Sequence, residues 1–261
     1  MPCVAGARVG ILALRSSSMT EETTAPYAAT APGWMLDELA SAGRENLDAE
    51  HVARYDGKMD AAAAEELALL RNLGLAEESV VVDIGAGTGQ FTLAVAAACA
   101  RVVAVDISPV MLAHLQARID EMGLDNVDLV RGGFLTYVHQ GDTADFVYSR
   151  YALHHLPDFW KAVALSRIRT MLRPGGLLRL SDVVWNFDPG QAAGRIEAWC
   201  ATAGAQVEGE WSREELEEHV RDEHSTFTWL LEPMIERAGF DIEVATYSAD
   251  GVDAQYVLRA R

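Results

Sequence analysis

Cysteine is scarce: Cys3, Cys99 and Cys200 are the three in a chain of 261 residues. Odd in number and far apart, they make neither a disulfide framework nor a closely spaced metal knuckle, so a reducing, cytoplasmic setting is expected. Basic residues are also few, 21 Lys and Arg against 39 Asp and Glu, which gives a formal charge of -18. No run of several Lys and Arg offsets this balance. A nucleic-acid backbone would meet net repulsion, and neither DNA nor RNA is expected as a partner. Long apolar runs are missing too. The longest, Leu93 to Ala100, is much too short to cross a bilayer, so no membrane partner is expected. The Gly-Lys-Ser/Thr signature of a triphosphate loop is absent, as are Cys-x-x-Cys and His-Glu-x-x-His spacings.

What remains is 50% hydrophobic and 23% charged residues, the composition of a globular protein with one large core. Residues 1 to about 33 are rich in Ala, Thr, Ser and Pro without sustained periodicity and read as a flexible arm. Within it, Val9 to Leu14 is too short for a secretory h-region and reads as a disordered or mistranslated leader, with Met19 as an alternative start. Residues 34–261 read as a single domain, and a homodimer is left open.

A helix over Asp60 to Leu73 should stop at Gly74. Ser79 to Ile84 is a short β-branched run with no polar alternation, as in a strand buried on both faces of a parallel sheet. Further strands are predicted at Arg101 to Asp106, Val127 to Arg131, Ala144 to Ser149 and Leu177 to Val184, with helices at Val110 to Met122 and Phe159 to Leu172. The turn Arg173-Pro174-Gly175-Gly176 should feed the fifth strand. Strands alternating with helices give an α/β, doubly wound, Rossmann-like sheet of seven mostly parallel strands. Another helix is expected at Thr226 to Ala238, and Ile242 to Ser248 with Ala254 to Arg259 should close an antiparallel hairpin. Residues 185–224 break the rhythm and read as a helical lid on the substrate side, or else as a packing appendage.

The segment Asp83-Ile84-Gly85-Ala86-Gly87-Thr88-Gly89-Gln90 joins a buried strand to a helix start. Glycines there let the chain turn and let a ligand approach the backbone. A dinucleotide fingerprint needs glycine where Gln90 stands, and a pyrophosphate would be repelled by Asp83. A cationic nucleoside tolerates that acid, and Asp106, at the next strand end, is placed to accept hydrogen bonds from ribose hydroxyls.

Together with Val105-Asp106-Ile107-Ser108-Pro109, Ala152-Leu153-His154-His155-Leu156 and Leu172-Arg173-Pro174-Gly175-Gly176, this loop resembles the class I S-adenosylmethionine (SAM) dependent methyltransferases. Within them it is similar to the small-molecule branch of ubiquinone and menaquinone biosynthesis enzymes, over about residues 60 to 184. The resemblance implies that Gly85, Gly87 and Gly89 line the methionine portion of SAM, with Asp83 near its ammonium. It further implies Asp106 on the ribose, Ile107 and Met111 on adenine, and Ser149 near the methionine end. The family often carries an acid after the third strand for adenine's amine; here the segment is Arg131-Gly132-Gly133-Phe134, leaving Gly133 backbone groups and Phe134 for that task. The reaction implied is methyl transfer to a small, hydrophobic organic acceptor. A SAM-binding protein without methyl transfer, such as a cyclisation catalyst or regulatory binder, is the alternative; a nucleotide-dependent oxidoreductase and a protein or RNA methyltransferase stand further off.

His154 and His155 follow the fourth strand at the ligand-binding edge. His154 is the candidate general base and His155 a candidate acceptor contact, or either is a packed imidazole. Adjacent histidines complete no metal-ligand set at this spacing, so no metal is expected. Trp185, Trp199, Trp211 and Trp229 could wall an acceptor site or pack a core. His224 reaches the site if the insertion folds back, and Tyr55 either caps SAM or lies on the surface.

Overall fold

The computed structural model describes residues 32–41, 52, 62–203 and 211–261. The flexible-arm, leader and Met19 expectations, and Tyr55, fall outside the described residues. Two helices, α1 (Glu38–Ser41) and α2 (Ala63–Asn72), precede the first strand, β1 (Val80–Ile84). The alternation then runs α3 (Gln90–Ala96), β2 (Arg101–Asp106), α4 (Pro109–Met122), β3 (Val127–Arg131), β4 (Ala144–Arg150), α5 (Asp158–Met171) and β5 (Leu172–Trp185). After it come α6 (Ala192–Cys200), α7 (Arg213–Asp222), β6 (Thr226–Phe227), α8 (Thr228–Arg237), β7 (Phe240–Tyr247) and β8 (Asp253–Ala260).

The sheet order is β3-β2-β1-β4-β5-β8-β7, with the two-residue β6 beside β5. Strands β1 to β5 pair in parallel, and β8 runs antiparallel to both β5 and β7. The expected Rossmann-like sheet and closing hairpin are therefore present. β1 shows why: Val82 and Ile84 face one core layer with Val103, Val147 and Leu165, while Val81 faces the other with Leu70, Phe91 and Val102. A strand apolar on successive residues has to be covered on both faces.

Local chemistry marks the helix ends. Ser108 accepts a hydrogen bond from the Met111 N–H at 3.2 Å and Pro109 starts α4, which ends at Gly123. In the insertion, Ser212 and Glu215 form a reciprocal capping box at the start of α7.

Beyond shifts of one or two residues at element ends, two features differ from the sequence reading. Arg173 to Gly176 is a bulge inside β5 and not a turn before it, because pairing jumps from Ala144 with Leu172 to Phe146 with Leu177. Pro174 has no N–H to offer the ladder, and Arg173 Nε donates to Asp145 Oδ1 at 2.6 Å, which holds the excursion against β4. Thr226 and Phe227 belong to β6, paired with Val184 and Trp185, so the helix starts at Thr228.

Candidate functional site

The sheet order reverses between β1 and β4, and a cleft opens there over the carboxyl ends of the strands, where doubly wound sheets bind ligands. It encloses about 660 Å³ of open space, its mouth included. Three glycines after β1 shape its floor. Gly85, Gly87 and Gly89 all have positive φ, at 78°, 54° and 84°, a region that side-chain-bearing residues resist. A Cβ at Gly85 would lie 2.5 Å from the Ala152 Cβ, and one at Gly89 would lie 2.1 Å from Leu115 Cδ1. The first packing leaves the backbone facing the cleft, and the second lets α3 seat against α4.

Asp106 ties the loop to β2. Gly87 N–H donates to its Oδ2 and Ser108 N–H to its Oδ1, both at 2.8 Å. Burial raises its pKa, against the pull of those backbone donors. Each oxygen keeps a lone pair beyond the backbone bond it accepts. Ile107 and Met111 line the same side of the cleft, and Gly133 and Phe134 line its end.

Other expected residues stand behind this surface. Asp83 lies beneath the loop, 2% exposed, and accepts from Thr92 Oγ1 at 2.6 Å. Burial pushes its carboxyl up to about 7, Thr92 opposing and Asp106 adding to the rise. Ser149 Oγ donates to the Ile84 carbonyl at 2.9 Å, a strut between β4 and β1. Gly89, Asp83 and Ser149 thus shape the cleft without lining it.

The two histidines divide the roles differently from expectation. They sit in a 3₁₀ turn, Leu153–His155, with their rings in contact, and of the two only His155 lines the cleft. His154 is turned away from the cleft: its Nδ1 is 2.5 Å from Asp182 Oδ1, and its Nε2 is 3.0 Å from Glu223 Oε2. Despite burial, the two carboxylates raise its pKa to about 10. With both ring nitrogens facing acids, it is no free base. His155 lines the cleft, and its buried Nδ1 has no hydrogen-bond partner. Burial, with His154 beside it, lowers its pKa to about 3 and keeps the ring neutral.

Trp185 forms an aromatic cluster with Trp199, Phe187 and His219, with ring centroids 5.6, 5.8 and 6.3 Å away. That cluster lies outside the cleft lining. Trp229 is 57% exposed and stacks on Phe227. The His224 side chain is exposed; its backbone N–H donates to the His154 carbonyl at 2.9 Å and its carbonyl accepts from Lys161 Nζ. The insertion does fold back, but it brings main chain and not the imidazole.

Three lining residues escaped the sequence reading. Arg150 and Tyr151 end β4, with Tyr151 at φ 49°, a strained conformation for a non-glycine residue. Glu38, on α1, is 7% exposed, accepts from the Leu135 N–H at 3.1 Å and from Thr136 Oγ1 at 3.0 Å, and lines the cleft beside Gly133. A Cβ on Gly133 would fall 2.4 Å from Glu38 Oε1. The missing side chain at Gly133 was the one available signal.

A family model described as a methyltransferase domain matches residues 81–176. A demethylmenaquinone methyltransferase of Lactiplantibacillus plantarum is 34% identical over 113 residues, 42% of this chain and 47% of that protein. The chain spans about half the length of the curated relatives it matches. Among solved structures, a magnesium protoporphyrin IX methyltransferase of Synechocystis superposes with a TM-score of 0.58 at 16% identity, covering 88% of this chain and all of that one. A [4+2]-cyclase superposes with a TM-score of 0.57 at 17% identity, over 75% of this chain and 80% of its own. Fold, glycine loop and sequence match converge: residues 81–176 match a methyltransferase domain, set in a fold shared with solved methyltransferases.

Proposed function

We propose, from the match of residues 81–176 to a methyltransferase domain, that the protein transfers a methyl group from SAM to a small, hydrophobic organic acceptor. The supporting observation is the convergence on one cleft of the bare backbone at Gly85 and Gly87, the Asp106 carboxylate, and the apolar pair Ile107 and Met111. These residues fit the donor. The glycine cradle admits the methionine portion, Asp106 has lone pairs left for the ribose diol, and Ile107 and Met111 flank adenine. Glu38 occupies the space a side chain at Gly133 would take, and we assign it to adenine's exocyclic amine in place of the missing acid after β3.

SAM supplies a methyl carbon on a sulfonium, already bearing a good leaving group. The protein's work is then to hold the acceptor atom in line with that carbon, at about 3–3.5 Å, and to exclude water. Phe134, Tyr151 and Leu156 give the cleft its apolar walls, and the neutral His155 ring offers a nitrogen to orient a polar group of the acceptor. Asp83 supports the loop from beneath and places a carboxyl near the donor's positive end. The demethylmenaquinone methyltransferases among the relatives favour a ring-bearing acceptor.

Titration calorimetry with SAM, S-adenosylhomocysteine and NADH tests the donor. Binding of the first two and not the third is expected; binding of NADH alone overturns the assignment. The cyclase among the structural neighbours shows that this fold is not confined to methyltransferases. Incubation with methyl-labelled SAM and a metabolite extract separates the two readings, because a cyclisation catalyst leaves all label in SAM.

A further inference from the structure

We propose that His154, His219 and Glu223 form a binding site for one divalent transition-metal ion of the zinc type. Their ligand atoms all lie within 4.8 Å of one another. Glu223 Oε2 is 3.0 Å from His154 Nε2 and 2.5 Å from His219 Nδ1. Yet that buried oxygen has no partner in hydrogen-bond geometry. Two ring nitrogens and one carboxylate oxygen crowd a common point, an ion pair where the imidazoles are protonated and a ligand set where they are not. Ligands adopt this arrangement when their shared target is a cation.

The opposite ring nitrogens are already engaged. His154 Nδ1 lies 2.5 Å from Asp182 Oδ1, and His219 Nε2 lies 2.8 Å from Ser225 Oγ. Asp182 is fixed in turn, its Oδ2 accepting from the His154 backbone N–H at 3.0 Å and its Oδ1 from the Val183 N–H at 2.8 Å. Such outer partners orient a ligating imidazole and make it more basic. Two imidazoles and a carboxylate suit zinc or a neighbouring first-row ion and not magnesium or calcium, which prefer all-oxygen sets. Three protein ligands leave a tetrahedral ion one open position. The His219 and Glu223 side chains are 13% and 19% exposed, so an ion can enter from solvent.

His219 and Glu223 stand one helical turn apart at the end of α7, and His154 follows β4, so the ion clasps the insertion to the edge of the sheet. It does so directly behind His155, whose ring centroid is 4.4 Å from that of His154 and which lines the cleft. The proposal does not depend on methyl transfer.

Chelator-treated full-length protein is titrated with Co²⁺ and then with Zn²⁺. One Co²⁺ per chain with visible d–d absorption, displaced by Zn²⁺, is expected, along with a Zn²⁺-dependent rise in Tm. His219→Ala and Glu223→Gln should each weaken Co²⁺ binding by more than about 10-fold. Ser225→Ala, which touches only an outer partner, keeps the test open if those variants misfold and should cost about 10–100-fold. Failure of the wild type to bind Co²⁺, or equal binding by the His219→Ala/Glu223→Gln double variant, overturns the site. SAM calorimetry on the same samples keeps this outcome separate from any failure of the donor assignment.

Discussion

Replacing Asp83 with Asn should make the ligand-free protein more stable while weakening its hold on SAM. The substitution preserves volume and the acceptor for Thr92 Oγ1, and removes only a charge that is 2% exposed. Burial raises the Asp83 carboxyl from the ordinary 3.8 to about 7. An acid whose pKa rises on folding holds its proton more tightly in the folded chain. Its contribution to stability is therefore full below the unfolded value, falls as pH climbs from 3.8 to about 7, and is flat above. Each tenfold change in the acid constant is worth about 1.4 kcal/mol, so the loss across this window reaches roughly 4 kcal/mol. Asn cannot titrate and escapes it. Urea unfolding of both proteins from about pH 4 to pH 8 should give curves that converge at the acid end and separate by up to that amount at the alkaline end. Curves that stay parallel over the whole range would refute the reasoning. Calorimetry should show the opposite ranking for SAM, because the cationic donor loses a nearby carboxylate, a trade of function against stability.

Glu38→Gln should weaken SAM binding by about 10–100-fold, the cost of one charged hydrogen bond, with little change in Tm; calorimetry reads it. Gly85→Ala forces a left-handed residue to place a Cβ 2.5 Å from Ala152, and should abolish measurable SAM binding while lowering stability by about 1–3 kcal/mol. His155→Ala should raise KM for the acceptor and leave the SAM Kd unchanged, since the ring lies in the cleft apart from the glycine loop. Glu66→Gln strips a buried guanidinium of its partner: Arg179 Nε and Nη2 donate to Glu66 at 2.8 and 2.6 Å. Thermal and urea unfolding should show a loss of about 3–5 kcal/mol.

Reading the sheet from sequence succeeded where the signal was local. Val80, Val81 and Val82 are consecutive apolar residues, and any strand so built must be covered on both faces. The three glycines were readable for the same reason, since each position carries its own steric demand. The arginine-proline-glycine-glycine segment misled because its composition suits a turn and a bulge equally, and only pairing with β4 decides between them. His154 and His155 are neighbours, so no local pattern could tell which faces the cleft. Asp182, 28 residues along the chain, settles it by pulling the first ring away. Glu38 was hidden further still, reaching Leu135 across 97 residues.

The family match runs from residue 81 to residue 176. The Arg173 to Gly176 bulge, the histidine pair and the overlooked Arg150 and Tyr151 lie inside it, whereas Glu38, Asp182, His219 and Glu223 lie outside it. On the proposed assignment the matched segment holds most of the parts that meet the donor, whose chemistry is common to many acceptors and whose glycine motif is short and continuous. The flanking segments bring single residues to the cleft or its back wall through tertiary contacts, and their spacing in the chain carries no periodic signal. A site built this way lets one half stay constant while the other is re-aimed by changes in the insertion, which does not enter the parallel strands that hold the glycine loop. Acceptor choice should therefore follow residues 185–224, and donor binding the strands β1, β2 and β4 together with Glu38 on α1.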